Sequence, residues 1–207
     1  ARFSPDGQWL SYVSPEEQQL IVYNLADGRS HSTADEIGVP AAWSPESDQL
    51  LVPNLDVVVI HGDEGEDHLE HTHDYQSATH IFKMDLPTDE VDNISGERPV
   101  EDSVPAWSPD GNLIAFGRRF AGTAAGRQLW LMRADGAEQR AVTDDPAVTY
   151  GPPSWSPDGR YLLAQRFQIE QNDGYPSIWL FDLDTGQSKE LAARAMQPRW
   201  LVGQTEE

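Results

Sequence analysis

The chain contains no cysteine, which removes disulfides and thiolate metal sites. It has only two lysines, Lys83 and Lys189, among 14 basic residues, against 35 acidic ones. The formal net charge of −21 makes polyanions poor partners. Neither nucleic acid nor an anionic membrane surface is expected to bind. No apolar run approaches the ~20 residues that span a bilayer, so no membrane insertion is expected. Familiar catalytic signatures are missing as well. There is no Gly-x-Ser-x-Gly elbow, no Gly-x-Gly-x-x-Gly or phosphate-binding loop, no His-Glu-x-x-His and no calcium-loop pattern. No leader is visible, and the chain opens at Ala1-Arg2-Phe3 inside a repeat, as expected for a piece of something longer. Basic proteins, cationic ligands and metal ions remain as partners.

One phrase recurs four times. It appears as Phe3-Ser4-Pro5-Asp6-Gly7, Trp43-Ser44-Pro45-Glu46-Ser47, Trp107-Ser108-Pro109-Asp110-Gly111 and Trp155-Ser156-Pro157-Asp158-Gly159. The aromatic residues are 40, 64 and 48 positions apart, and Trp200 follows 45 residues later. A period of this size, rich in strand and turn formers, indicates stacked supersecondary units rather than one central core.

The third repeat displays the unit. Pro105–Trp107 ends a first strand on the aromatic, and Ser108-Pro109-Asp110-Gly111 makes a tight turn. Proline presets φ there, and glycine takes the left-handed position. Leu113–Phe116 is the second strand, Leu129–Met132 the third, and Gln139–Thr143 a more polar fourth. The other repeats follow, with third strands at Leu20–Leu25, His80–Leu86 and Ile178–Asp182 and turns at Asp27-Gly28 and Thr185-Gly186. In the second repeat Glu46-Ser47 replaces Asp-Gly, so that hairpin either strains a serine or uses another turn type. Four antiparallel strands per repeat, apolar inside and polar outside, make the blade of an all-β propeller. The blades fall at about 1–39, 40–103, 104–151 and 152–196, with a fifth inner strand at 197–201. Exposed terminal blades leave apolar faces in water, so the four blades are expected to belong to a larger ring. The motif aromatics pack between blades, the motif serines are turn residues and not nucleophiles, and Asp6, Asp110 and Asp158 bond nearby amides.

The third and fourth repeats also carry a resemblance. Trp-Ser-Pro-Asp-Gly, Leu129-Trp130-Leu131-Met132-Arg133-Ala134-Asp135-Gly136 and Tyr150-Gly151-Pro152-Pro153-Ser154-Trp155 resemble the TolB-like, WD-repeat-like propeller family. The likeness covers nearly the whole chain and is weakest from about Leu51 to Arg98. It implies a non-enzymatic scaffold for protein or ligand binding, in the periplasm or outside the cell. Two alternatives come with the same resemblance. One is the substrate-gating propeller of a prolyl-oligopeptidase-like peptidase, and the other is a metal-dependent, lyase-like propeller.

One stretch departs from the repeat. Five of the six histidines lie between His61 and His80, among acidic residues, in an insertion of ~20 residues that joins the second and third strands. It emerges opposite the Ser-Pro-Asp-Gly turns, on the same end as Glu170, Asp173 and the loop Thr143–Pro152. His71-Thr72-His73 puts two imidazoles on one side if extended. His68, His71, His73 and His80 are therefore the candidate ligands for a divalent metal, zinc or calcium. The competing reading is a solvated acidic loop. No catalytic residue is assigned. Acidic polysaccharides need cations, which are scarce here, although Arg118, Arg119 and Arg127 cluster around one loop. The acidic charge favours a protein partner with a basic surface.

Overall fold

The structure is a computed structural model that describes residues 1–60, 74–170 and 174–200. Every regular element among them is a strand, so no helix there is long and apolar enough to cross a membrane. The first sheet runs β1 (Arg2–Phe3), β2 (Trp9–Ser14), β3 (Gln19–Asn24), β4 (Ser30–Ala34). The second blade is β5 (Ala42–Trp43), β6 (Gln49–Ile60), β7 (Asp74–Asp85) and β8 (Val91–Asn93). The third is β9 (Val100–Trp107), β10 (Leu113–Phe120), β11 (Gln128–Arg133) and β12 (Arg140–Ala141). In the fourth, β13 (Val148–Tyr150) and β14 (Ser154–Trp155) share the innermost place against β15 (Tyr161–Gln168), followed by β16 (Ser177–Asp182) and β17 (Ser188–Ala192). Pro152 and Pro153 interrupt that inner strand because neither can donate a ladder hydrogen bond.

The motif sets the same register in every blade. Phe3 faces Leu10, Trp43 faces Leu50, Trp107 faces Ile114 and Trp155 faces Leu162. The motif serine is tied down. The hydroxyls of Ser4, Ser108 and Ser156 donate to Asp6, Asp110 and Asp158 at 2.5, 2.6 and 2.5 Å. They also accept from the amides of Trp9, Leu113 and Tyr161. Those serine bonds are the main reason the three carboxyls lie below the usual carboxylate range.

The second repeat adopts the strained alternative. Ser47 sits at φ 64°, where Gly7, Gly111 and Gly159 have φ 70°, 73° and 73°. Its hydroxyl offsets this by accepting from the Asp6 amide of the first blade at 3.1 Å, and Ser44 bonds Asp48 in place of an aspartate two residues on. Ser47→Ala keeps the strain and loses the bond, so it should destabilise by about 1 kcal/mol. Ser47→Gly loses the bond but relieves ~1 kcal/mol of strain, so it should stay within about 0.5 kcal/mol of the parent. Urea titration of the two variants checks the difference.

The core consists of three slabs, one between each pair of neighbouring blades. Leu20, Val22, Leu50 and Met84 fill the first, Leu51, Ile81, Trp107 and Phe116 the second, and Leu129, Leu131, Trp155 and Leu162 the third. Successive residues such as Leu50 and Leu51, or Ile114 and Ala115, enter different slabs. Both faces of the second and third blades are thus buried, which is why their strands read as continuous apolar runs rather than alternating ones. Indole N–H groups stitch the slabs: Trp43 donates to Ser11 Oγ (3.1 Å), Trp155 to the Ala106 carbonyl (3.0 Å) and Trp200 to the Ser154 carbonyl (3.1 Å). Trp107 Nε1 is buried without an acceptor among the described residues. Phe3 has no such slab and is 65% exposed.

Three expectations need adjusting. The second and third blades are joined into one eight-stranded sheet by a parallel bridge between Thr79 and Glu101. Residues 193–200 form no strand, and Leu201 lies outside the described residues. An inner strand takes its partner from the second strand of its own blade, and no described residue supplies one. The third strand of the second repeat also begins earlier than expected, at Asp74 rather than His80. β6 and β7 each run 12 residues, against 6 to 8 for the second and third strands elsewhere. They pair continuously from Gln49↔Asp85 to Ile60↔Asp74. Much of the extra length is therefore ribbon, not loop.

Candidate functional site

In every blade the second strand ends, and the third begins, at the end opposite the Ser-Pro hairpin. The β6–β7 ribbon extends from that end. Of the four histidines expected as metal ligands, His68, His71 and His73 lie outside the described residues, and so does Asp173. His80 lies in β7, fully buried, at the root of the ribbon. Its Nδ1 is 2.9 Å from Asp56 Oδ2 on β6, and its Nε2 is 2.9 Å from the Arg98 carbonyl. Asn93 on β8 closes the group. It donates to Asp56 Oδ2 (3.1 Å) and the Gly96 carbonyl (3.0 Å) and accepts from the amides of Ser95 and Gly96. Nδ1 thus meets Asp56 and the Asn93 amide, and Nε2 meets the Arg98 carbonyl, so both ring nitrogens are engaged within the protein and His80 has a structural role in this arrangement. Among the described residues, no three His, Cys, Asp or Glu side chains are grouped to hold a metal. The metal expectation rests on the residues outside them.

The three arginines do come together, but in three different states. Arg118 is 2% exposed and pairs through Nε and an Nη with both oxygens of buried Asp102, at 2.6 and 2.7 Å. Its remaining donors reach the Gln139 side chain (2.8 Å) and the Ser95 carbonyl (3.0 Å) of the second blade. The guanidinium carbon lies 5.0 Å from the ring centroids of both Phe116 and Trp130, at cation–π range. Arg118 is a clasp between blades. Arg119 points the other way and pairs with Glu101, which faces it across β9 and β10. Arg127 lies one step beyond the β10–β11 pairing that ends at Arg118↔Gln128, so Glu101, Arg119 and Arg127 form a row across the blade. Its pKa is lowered first by burial and then by the positive charge of Arg119, against the opposing pull of Glu101 and Asp102.

Asp56, Asn93, Glu101 and Asp102 were not singled out as partners by sequence reasoning. For the acids of β9 a signal existed: aligning Trp107 with Ile114 and counting outward along the two strands brings Asp102 and Glu101 opposite Arg118 and Arg119 once the bulge is allowed for.

No family model matches the chain. Over 61 residues, 28% of its length, it is 48% identical to the "Uncharacterized peptidase YuxL" of Bacillus subtilis (strain 168), of which the match covers 8%. Among solved structures it is similar to TolB from Acinetobacter baumannii, with TM-score 0.63 and 17% identity over 92% of this chain and 42% of that one. An oligogalacturonate lyase in complex with manganese is similar at TM-score 0.61 and 20% identity, over 91% of this chain and 51% of the lyase. The chain thus spans less than two thirds of each of these proteins. At such identities the likeness to solved structures speaks to shape: the chain has a TolB-like β-propeller fold.

Proposed function

We propose that the chain is a non-catalytic propeller scaffold, part of a larger ring in the periplasm or outside the cell, that binds a protein partner through the blade end carrying the β6–β7 ribbon. The observation that carries this reading is the ribbon root. A projecting two-stranded hairpin is marginal alone, but here His80, Asp56 and Asn93 fasten it to its blade and Thr79 bridges it to the next. A pre-ordered projection loses little entropy when it is bound. The segment it carries holds Asp63, Glu64, Glu66, Asp67, Glu70 and Asp74, in a chain of net charge −21. That charge supports a partner with a basic face, drawn in by long-range attraction.

The test uses a fluorescent lysine octapeptide as the basic probe and a variant in which residues 57–77 are replaced by Asn-Gly, closing Asp56 and Ala78 into a tight hairpin. Intact chain is expected to bind with strong salt dependence, and the shortened chain about tenfold more weakly, with its melting transition retained. Equal binding by both chains contradicts the proposal.

A second reading has support from the match to the YuxL peptidase: the blades gate substrate for a peptidase domain in the same protein. The reading frame beyond Glu207 decides it, with an α/β-hydrolase domain in favour and an immediate stop against. The ribbon segment is further proposed to take zinc or calcium through His68, His71 and His73. Calorimetric titration of the intact chain and a His71→Ala/His73→Ala variant tests this, and identical binding by both removes it.

A further inference from the structure

The geometry points to a carboxylate-binding site at Arg127, on the side of the third blade that faces the fourth. It does not depend on the ribbon. Three guanidiniums share two carboxylates across this blade: Arg118 takes Asp102 on the opposite face, and Arg119 takes Glu101 on this one. Arg127 is left with only Glu101 Oε2 at 3.9 Å, beyond hydrogen-bond reach. None of its side-chain donors finds an acceptor among the described residues, and its Nε is buried without one. Its side chain is 32% exposed, so the rest of the guanidinium stays accessible. Arg127 thus has no carboxylate of its own and shares Glu101 with Arg119.

The surroundings hold that cation in place. The Arg127 amide donates to Thr149 Oγ1 at 3.1 Å, and its carbonyl accepts from the Tyr150 amide at 2.9 Å, both on the fourth blade. Gly126 before it lies so close to that blade that an added Cβ would come within 2.0 Å of the Val148 carbonyl oxygen. The arginine stem lies across Gly117 of β10, where a Cβ would be 2.5 Å from its Cδ. Gly117 also sits beside Ser103, whose hydroxyl is buried without a partner, and next to the β9 bulge where Val104 takes φ 47°. A β-branched residue at positive φ is a strained exception. Two glycines, a strained bulge and two backbone hydrogen bonds therefore fix the root of a side chain whose own donors make no hydrogen bond among the described residues. A planar, pre-oriented fork with free donors is complementary to a carboxylate. The chain's overall negative charge opposes an anion only at long range, where salt screens it, whereas the contact at Arg127 acts at short range.

The experiment follows arginine side-chain N–H resonances by NMR while N-acetylglycine, a minimal peptide carboxy terminus, is titrated in low-chloride buffer, with N-acetylglycinamide as the uncharged match. The acid should shift the Arg127 Nε–H saturably and the amide should not. Arg127→Gln should weaken acid binding about tenfold or more. Glu101→Gln, which frees Arg119, should strengthen it several-fold. Equal binding of the amide, or undiminished binding by Arg127→Gln, overturns the site. If Arg127→Gln lacks a cooperative melt, Glu101→Gln decides, and unchanged or weaker binding in that variant overturns it.

Discussion

Replacing Asp102 with alanine is expected to lower the unfolding free energy by about 3–5 kcal/mol, the range for breaking a buried ion pair from one side. The carboxylate is fully buried, and so is the Arg118 guanidinium it holds. Without it, a cation wedged between Phe116 and Trp130 keeps only the Gln139 oxygen and the Ser95 carbonyl as acceptors. Water cannot reach it cheaply, so desolvation is no longer offset. The double variant Asp102→Leu/Arg118→Met should recover most of the loss, because a well-packed apolar pair often matches a buried ionic one. Urea unfolding of the parent, single and double variants measures this. A loss below about 1 kcal/mol in Asp102→Ala would mean that the pair is hydrated and no clasp.

His80→Phe is the second large effect. Phenylalanine fills the volume, but the contacts of the two ring nitrogens with Asp56 and the Arg98 carbonyl are lost. Losing polar contacts to a buried ring costs about 1–3 kcal/mol each, so an overall loss of about 2–4 kcal/mol is expected. Asp56 is partly exposed and partly rescued by water and by Asn93, which keeps the figure below the sum of two full penalties. The effect should also be local. Ribbon amides should exchange faster in His80→Phe than in Asp102→Ala, although Asp102→Ala is globally less stable. The opposite order would place His80 outside the ribbon's support.

The blade unit was legible because its signals are local. A proline, a glycine and an aromatic at fixed spacing dictate a hairpin whatever surrounds them, and Ser47 was marked by its position as either strained or in another turn type. The ribbon was not legible in the same way. Val57-Val58-Val59-Ile60 carries strong strand propensity, and the insertion was placed from His61, but its return strand from Asp74 to Thr79 is polar and was read as part of the insertion. His80 illustrates a wider difficulty. Among five histidines in an acid-rich segment it resembled the others, and only the tertiary pairing across β6, β7 and β8 separates it as a buried structural residue. The arginine cluster was visible as composition, yet which arginine is paired depends on strand facing. Arg118 and Arg119 are adjacent in sequence and therefore on opposite sides of the blade. No composition argument distinguishes them, and the bulge at Val104 shifts the count besides.

Hydrogen exchange along the second blade tests most directly whether the ribbon is a rigid extension of the propeller. The ladder amides between Asn54–Asp56 and Ala78–His80 should be protected together with those between Gln49–Val52 and Phe82–Asp85, opening as one unit. Exchange of the Asn54–Asp56 and Ala78–His80 amides at free-peptide rates, while the rest of the blade stays protected, would contradict it and leave the chain without a platform for a partner.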